Sequence, residues 1–170
     1  MQIKLLPWSL DLKDILVTMC NTVDRSYLSD RLPDPYTVSD AVSWLGYIQD
    51  SEKNGTGIFR AIEVDGNVAG SISVERKGDV YRIDGELGYY LLTKYWNKGI
   101  MTRVIGDFVP MAFAALNLRR ISANVFAPNI PSSKVLEHNG FLHEGTLRNG
   151  AIKNGKVMDV MVWGKCQEFA

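Results

Sequence analysis

The stretch that most restricts the fold runs from Glu86 to Ala127. Glu86–Leu92 reads as an apolar, aromatic-rich strand, Thr93–Gly99 as a bend, Thr102–Leu116 as a helix and Arg120–Ala127 as a second strand. In the last of these, Ile121, Ala123 and Val125 alternate with Arg120, Ser122, Asn124 and Phe126, the period of a pleated chain. Two strands joined through a helix pair in parallel, and such a crossover is right-handed. The bend has a chemical consequence as well. A strand that turns at Gly99 into a helix aims several backbone N–H groups at one point, where the positive end of the helix dipole adds to them. That point suits an anion.

The flanking segments supply the rest of a mixed α/β (α+β) domain. From Ser9 to about Tyr27, Leu12, Ile15, Leu16, Met19, Cys20 and Val23 fall on one helix face, with Ser9 as the expected N-cap. Leu32-Pro33-Asp34-Pro35 breaks the chain, and Thr37 with Asp40 predicts a capping box that opens a second helix, buried through Ala41, Trp44, Leu45 and Ile48. Asp65-Gly66 between Ile58–Val64 and Asn67–Glu75 is a two-residue hairpin signal. Pro110 is expected to kink or end the first part of the helix that follows Gly99. After the strand ending at Ala127, Asn129-Ile130-Pro131-Ser132 predicts a turn into a short helix that stops at Asn139-Gly140. Phe141–Leu147 and Val157–Lys165 are the last two strands, and Ile3–Leu6 is a short first one.

At 170 residues the chain is expected to form one domain, 1–170, with a full core. Its net charge of zero gives no general attraction to nucleic acid or to an anionic membrane, so any anion site must be local. Cys20 and Cys166 do not make a disulfide framework, which favours a reducing, cytoplasmic setting. No run approaches the roughly 18 apolar residues that span a bilayer, and no signal peptide is evident. His138 and His143 lack metal spacing, and Arg119-Arg120 reads as a solvated strand start.

Taken together, the strand-loop-helix at 86–102, the Asp65–Gly70 segment, the Asn129…Ser132 turn, Asn139-Gly140-Phe141 and Glu144-Gly145 resemble the GNAT superfamily of N-acetyltransferases. Within it they are most similar to the Rim-type branch, which acetylates ribosomal protein N-termini, and to its small-molecule relatives. The family's diphosphate loop reads Q/R-x-x-G-x-G/A; here Trp96 and Met101 depart from that pattern while Gly99 keeps it.

The resemblance implies a mostly antiparallel sheet with helices on both faces and a splay between the strands near 86–92 and 120–127. It implies acetyl-CoA as cosubstrate with no metal. Leu91 and Leu92 would offer backbone groups to the pantetheine arm, and Asn97, Lys98, Gly99, Ile100, Met101 and Thr102 would bind the diphosphate. Asn129 would present its amide to the pantetheine or the acceptor. Ser132 would meet the departing sulfur, or else cap the helix it opens. Glu86 is the candidate base, because the period of 2 sets it on one strand face with Gly88, Tyr90 and Leu92. Solvent remains the other candidate, since the carboxylate of some Rim-type members falls here on Ala151. The acceptor is an amine, either a small molecule or a protein N-terminus such as that of a ribosomal protein, and the silent alternative is a domain that binds CoA without turnover. A homodimer is left open.

Overall fold

The computed structural model describes residues 1–167. Seven strands form one sheet, in the order β1 (Ile3–Pro7), β2 (Gly57–Val64), β3 (Asn67–Arg76), β4 (Asp84–Leu91), β5 (Arg120–Phe126), β7 (Lys156–Cys166) and β6 (Leu142–Lys153). Every neighbouring pair is antiparallel except β4 and β5, the two strands of the predicted crossover. The β2–β3 hairpin turns at Asp65 and Gly66, both at positive φ (49° and 82°), the backbone twist that a two-residue hairpin favours.

Helices cover both faces, and strand alternation decides which side chains each face receives. From β2, Phe59 and Ala61 join Leu16, Leu45 and Ile48 of α1 (Lys13–Thr22) and α2 (Val38–Lys53) in one core. Ile58 and Ile62 turn the other way. They meet Ile105, Phe108 and Phe113 of α3 (Ile100–Leu116), together with Leu136 of α4 (Ile130–His138).

Several expected boundaries move, each for a local reason. The first helix starts at Lys13 after a tight turn at Leu10–Leu12, and the Ser9 side chain makes no capping bond. It ends at Thr22 because Val23 is extended, and Arg25 ties the next segment down by donating to the carbonyls of Cys20, Leu32 and Pro33 at 2.8 Å each. α3 begins at Ile100, and it passes Pro110 as one element, with that proline on its exposed side. β6 runs on to Lys153 through two register shifts. Arg120 is not a solvated strand start: its guanidinium is forked onto Glu144, with Nη1 2.7 Å from Oε2. Cys20 is buried and Cys166 exposed, both unbridged.

The capping box is present in full. The Thr37 side chain accepts from Asp40 N–H at 3.2 Å, and the Asp40 carboxylate accepts from Thr37 N–H at 2.8 Å. Thr37→Ala is therefore expected to lower stability by about 1 kcal/mol, measured by denaturant titration, with no change in ligand binding.

Candidate active site

β4 and β5 part company after three residue pairs. Asp84, Gly85 and Glu86 lie beside Arg120, Ile121 and Ser122, and the pairing stops there. β4 stays with β3 as far as Leu91, opposite Gly70, while β5 stays with β7 as far as Phe126, opposite Val160. Each strand keeps its outer partner, so a wedge opens between them.

A buried carboxylate pins the closed end. Asp84 accepts from Lys77 Nζ at 2.7 Å and from Ser122 Oγ at 3.0 Å, and Arg120 Nε lies 3.4 Å away. These contacts join the end of β3, β4 and β5 at one point, and Arg120 extends the join to β6 through Glu144. A buried charge with several partners resists separation of the strands at that end.

Backbone alternation decides what the open end offers. Leu92 N–H donates to the Ala69 carbonyl at 2.8 Å, and the Leu92 carbonyl accepts from Tyr95 N–H at 2.9 Å. Tyr89 and Leu91, one step out of phase, direct their groups toward the wedge. There the Leu91 carbonyl accepts from Trp96 Nε1 at 2.7 Å. Of the two leucines expected to offer pairing groups, Leu91 keeps its N–H and Leu92 has neither group to spare. Tyr89 takes its place.

The loop beyond β4 turns through Asn97 and Gly99, both left-handed (φ 59° and 71°). Ile100, Met101 and Thr102 follow, and their N–H groups precede the first bond of the helix, Arg103 N–H to the Gly99 carbonyl at 3.2 Å. The side chains of Ile100 and Met101 are buried in the core, so Met101 does not crowd the loop as its departure from the family pattern suggested. Exposed Lys98 and Lys94 add positive charge, and their ammonium groups flank the Tyr95 ring at 5.8 and 5.0 Å. A helix terminus with open donors and two lysines has the chemistry that suits an anion, on a chain with no net charge.

The opposite flank is the start of α4. Asn129 caps it, its side-chain oxygen accepting from Ser132 N–H at 3.4 Å, so the cap is Asn129 and not Ser132. Ser132 Oγ lies 2.6 Å from the Tyr89 hydroxyl, which reaches it from β4. Burial pushes the Tyr89 phenol up to about 12, only partly offset by the bond to Ser132.

The wedge opens into a cleft of about 800 Å³ whose lining includes Glu86, Gly88, Tyr89, Tyr90, Asn129 and Ser132. A cleft of this size matches a site for a small ligand. α1, α2 and the intervening loop form the far wall, with Tyr36, Trp44 and Tyr47 contributing rings. Glu86 is exposed on the near wall, directly across from Glu75, whose Oε1 accepts from the Tyr47 hydroxyl at 3.1 Å. Among the described residues Glu86 forms no salt bridge. Tyr90 is half-buried, its hydroxyl 3.7 Å from Cys20 Sγ, and desolvation holds its phenol well above the usual range. The 27–47 segment lines the cleft, whereas 148–155 does not. Lys153 touches it only indirectly, through a 2.7 Å ion pair to Asp30 of the α1–α2 loop.

Three roles were not legible in advance: Tyr89 as the partner of Ser132, Trp96 as the cap of the Leu91 carbonyl, and Asp84 as the pin of the closed end. Trp96 carried the one available signal, an indole at an unexpected place.

Residues 2–142 match the family described as "Acetyltransferase (GNAT) domain". The chain is 33% identical over 115 residues to "Probable N-acetyltransferase YjcK" of Bacillus subtilis, an alignment covering 65% of this chain and 62% of that protein, so it spans less than two thirds of that relative. The fold is similar to that of the "Microcin C7 self immunity acetyltransferase MccE", solved with acetyl-CoA and AMP, at TM-score 0.83 and 22% identity over 98% of this chain and 93% of that one. It is also similar to the "Ribosomal-protein-S5-alanine Acetyltransferase" of Vibrio fischeri, at TM-score 0.80 and 25% identity over 97% and 92%.

Proposed function

The chain belongs to the GNAT acetyltransferases, and from that premise we propose that it moves the acetyl group of acetyl-CoA to a primary amine, by direct transfer in a ternary complex. The observation that carries this reading is the wedge: β4 presents unpaired groups at Tyr89 and Leu91, flanked by an anion-binding helix start and a hydroxyl. An extended arm with amide groups docks on such an edge as an added strand would. The diphosphate then falls on Asn97–Thr102, and the thioester on the stretch between Leu91 and Ser132. Asn129 spends its side-chain oxygen on the cap, which leaves its NH₂ to meet the pantetheine.

The chain's own groups meet each demand of the transfer. As the amine nitrogen bonds to the thioester carbon, the carbonyl oxygen gains charge and a wedge-facing N–H of β4 donates a hydrogen bond to it, a contribution worth roughly 3 kcal/mol in other acyl transfers. The carbon–sulfur bond then breaks, and Ser132 donates a hydrogen bond to the departing sulfur. Glu86, on the cleft face of β4, orients a water that takes the proton from the amine. The acceptor enters along the aromatic wall of α2. The ribosomal specificity named for the Vibrio fischeri protein supports a protein N-terminus as one acceptor class, and a small amine fits the same cleft.

The test is a thermal shift with acetyl-CoA, followed by thiol release over a panel of amines and N-terminal peptides. Acetyl-CoA stabilisation with acceptor-dependent CoA release is the expected result. Stabilisation with no release for any acceptor points to a CoA-binding domain without turnover, and no stabilisation at all rejects the reading. In the same assay Glu86→Gln is expected to lower turnover three- to tenfold, because a solvent-exposed carboxylate acting through water is partly replaceable. An unchanged rate assigns the base to solvent.

A further inference from the structure

Tyr89 lies on the strand face opposite Glu86 and Tyr90, and it packs against the core of α3 and α4. Its hydroxyl oxygen is 2.6 Å from Ser132 Oγ and 3.4 Å from the Ser132 carbonyl oxygen. At 2.6 Å one hydroxyl donates to the other. The direction follows from the chemistry of the pair. The phenol has one proton, for which the Ser132 carbonyl at 3.4 Å and Ser132 Oγ at 2.6 Å compete; Oγ is much the nearer, and a phenol is a better donor and a poorer acceptor than an alcohol. Both residues are half-buried and line the cleft, and once the phenol proton is committed to Oγ the serine proton is the one left to turn into that space.

We propose that Tyr89 is a positioning residue for the transfer: its phenol donates to Ser132 Oγ, which commits the serine proton to the wedge and to the sulfur that departs there. The inference rests on the acetyl-transfer reading above. It assigns Tyr89 a role distinct from that of an acid. The phenol titrates at about 12, well above the range of a thiol, so passing the phenol proton through Ser132 to the sulfur is uphill. Both hydroxyls keep their protons. The sulfur leaves as a thiolate held by the serine hydroxyl and takes its proton from solvent.

The experiment needs no acceptor. CoA is bound to wild type, Tyr89→Phe, Ser132→Ala and the double variant, and its thiol is titrated by the ultraviolet absorbance of the thiolate, with affinity measured on the same samples by calorimetry. Glu75 and Glu86 on the cleft wall, Asp40 and Arg31 across it, and Lys98 at the loop are common to all four proteins, so their fields cancel in the comparison.

The thiol bound to wild type is expected to titrate about one pH unit below free CoA, the effect of one charge-assisted hydrogen bond. Tyr89→Phe is expected to move it back by about half, Ser132→Ala to the value of free CoA, and the double variant no further than Ser132→Ala. An unchanged or lowered value in Tyr89→Phe means that the serine donates to the tyrosine, and overturns the proposal. So does an additive effect in the double variant, which would place Tyr89 on the sulfur itself. CoA that fails to bind wild type overturns the acetyl-transfer reading and this inference with it, whereas normal affinity with an unshifted thiol overturns this inference alone.

Discussion

Gly99→Val is expected to weaken acetyl-CoA binding at least thirtyfold, measured by calorimetry. Gly99 sits at φ 71°, immediately before α3. An L side chain there costs about 1–2 kcal/mol in the left-handed region, and a β-branched one more. The protein can bear that strain or relax it by rotating the loop, and relaxation turns the N–H groups of Ile100, Met101 and Thr102 off their common target. The added side chain meets no protein atom, since nothing lies within 4 Å of a Cβ at this position. On the proposed reading, that open space is where the diphosphate approaches. A loss of 2 kcal/mol corresponds to about thirtyfold in affinity, and crowding of the phosphates adds to it. Gly99→Ala separates the two effects, because it shares the strain and carries less bulk. Equal, unimpaired binding by both variants would remove the loop from the site.

Ser132→Ala is expected to lower turnover roughly ten- to hundredfold while acetyl-CoA affinity stays within about twofold. A hydrogen bond to a charged acceptor contributes about 1.5–3 kcal/mol, and here it forms only as the sulfur leaves, so the loss falls on kcat. The structure removes the competing account, in which the serine merely caps α4: that task belongs to Asn129. Stability should therefore fall in Ser132→Ala only by the lost bond to the Tyr89 hydroxyl, about 1 kcal/mol, and Asn129→Ala should be the variant that loosens α4, by about 1 kcal/mol. A larger stability loss in Ser132→Ala with normal turnover would reverse these two assignments. Asp84 offers a further contrast, since its contacts with Lys77, Ser122 and Arg120 hold the strands together at the other end of the wedge.

Much of this was legible in the chain because local physics wrote it there. The Asp65-Gly66 turn needed two residues at positive φ, the Thr37–Asp40 box needed a hydroxyl and a carboxylate three apart, and Gly99 marked a place where a strand could bend left-handed into a helix. Each of these depends on neighbours within a few positions, so spacing was enough to find it. The helix ends were less legible. α1 stops at Thr22 because Arg25 reaches carbonyls as far on as Pro33, a contact that no periodicity encodes.

The sequence by itself therefore determined the elements, their order, the hairpins and the left-handed turn after the central strand. Only the tertiary structure decided the site. The wedge exists because β4 remains with β3 and β5 with β7, a competition between partners far apart in the chain. The Tyr89–Ser132 pair exists because a strand and a helix start 43 residues apart come within hydrogen-bond reach. Local propensity acts through neighbouring dihedrals, whereas a reactive geometry depends on where separate elements are packed; the first is written along the chain and the second only in the fold.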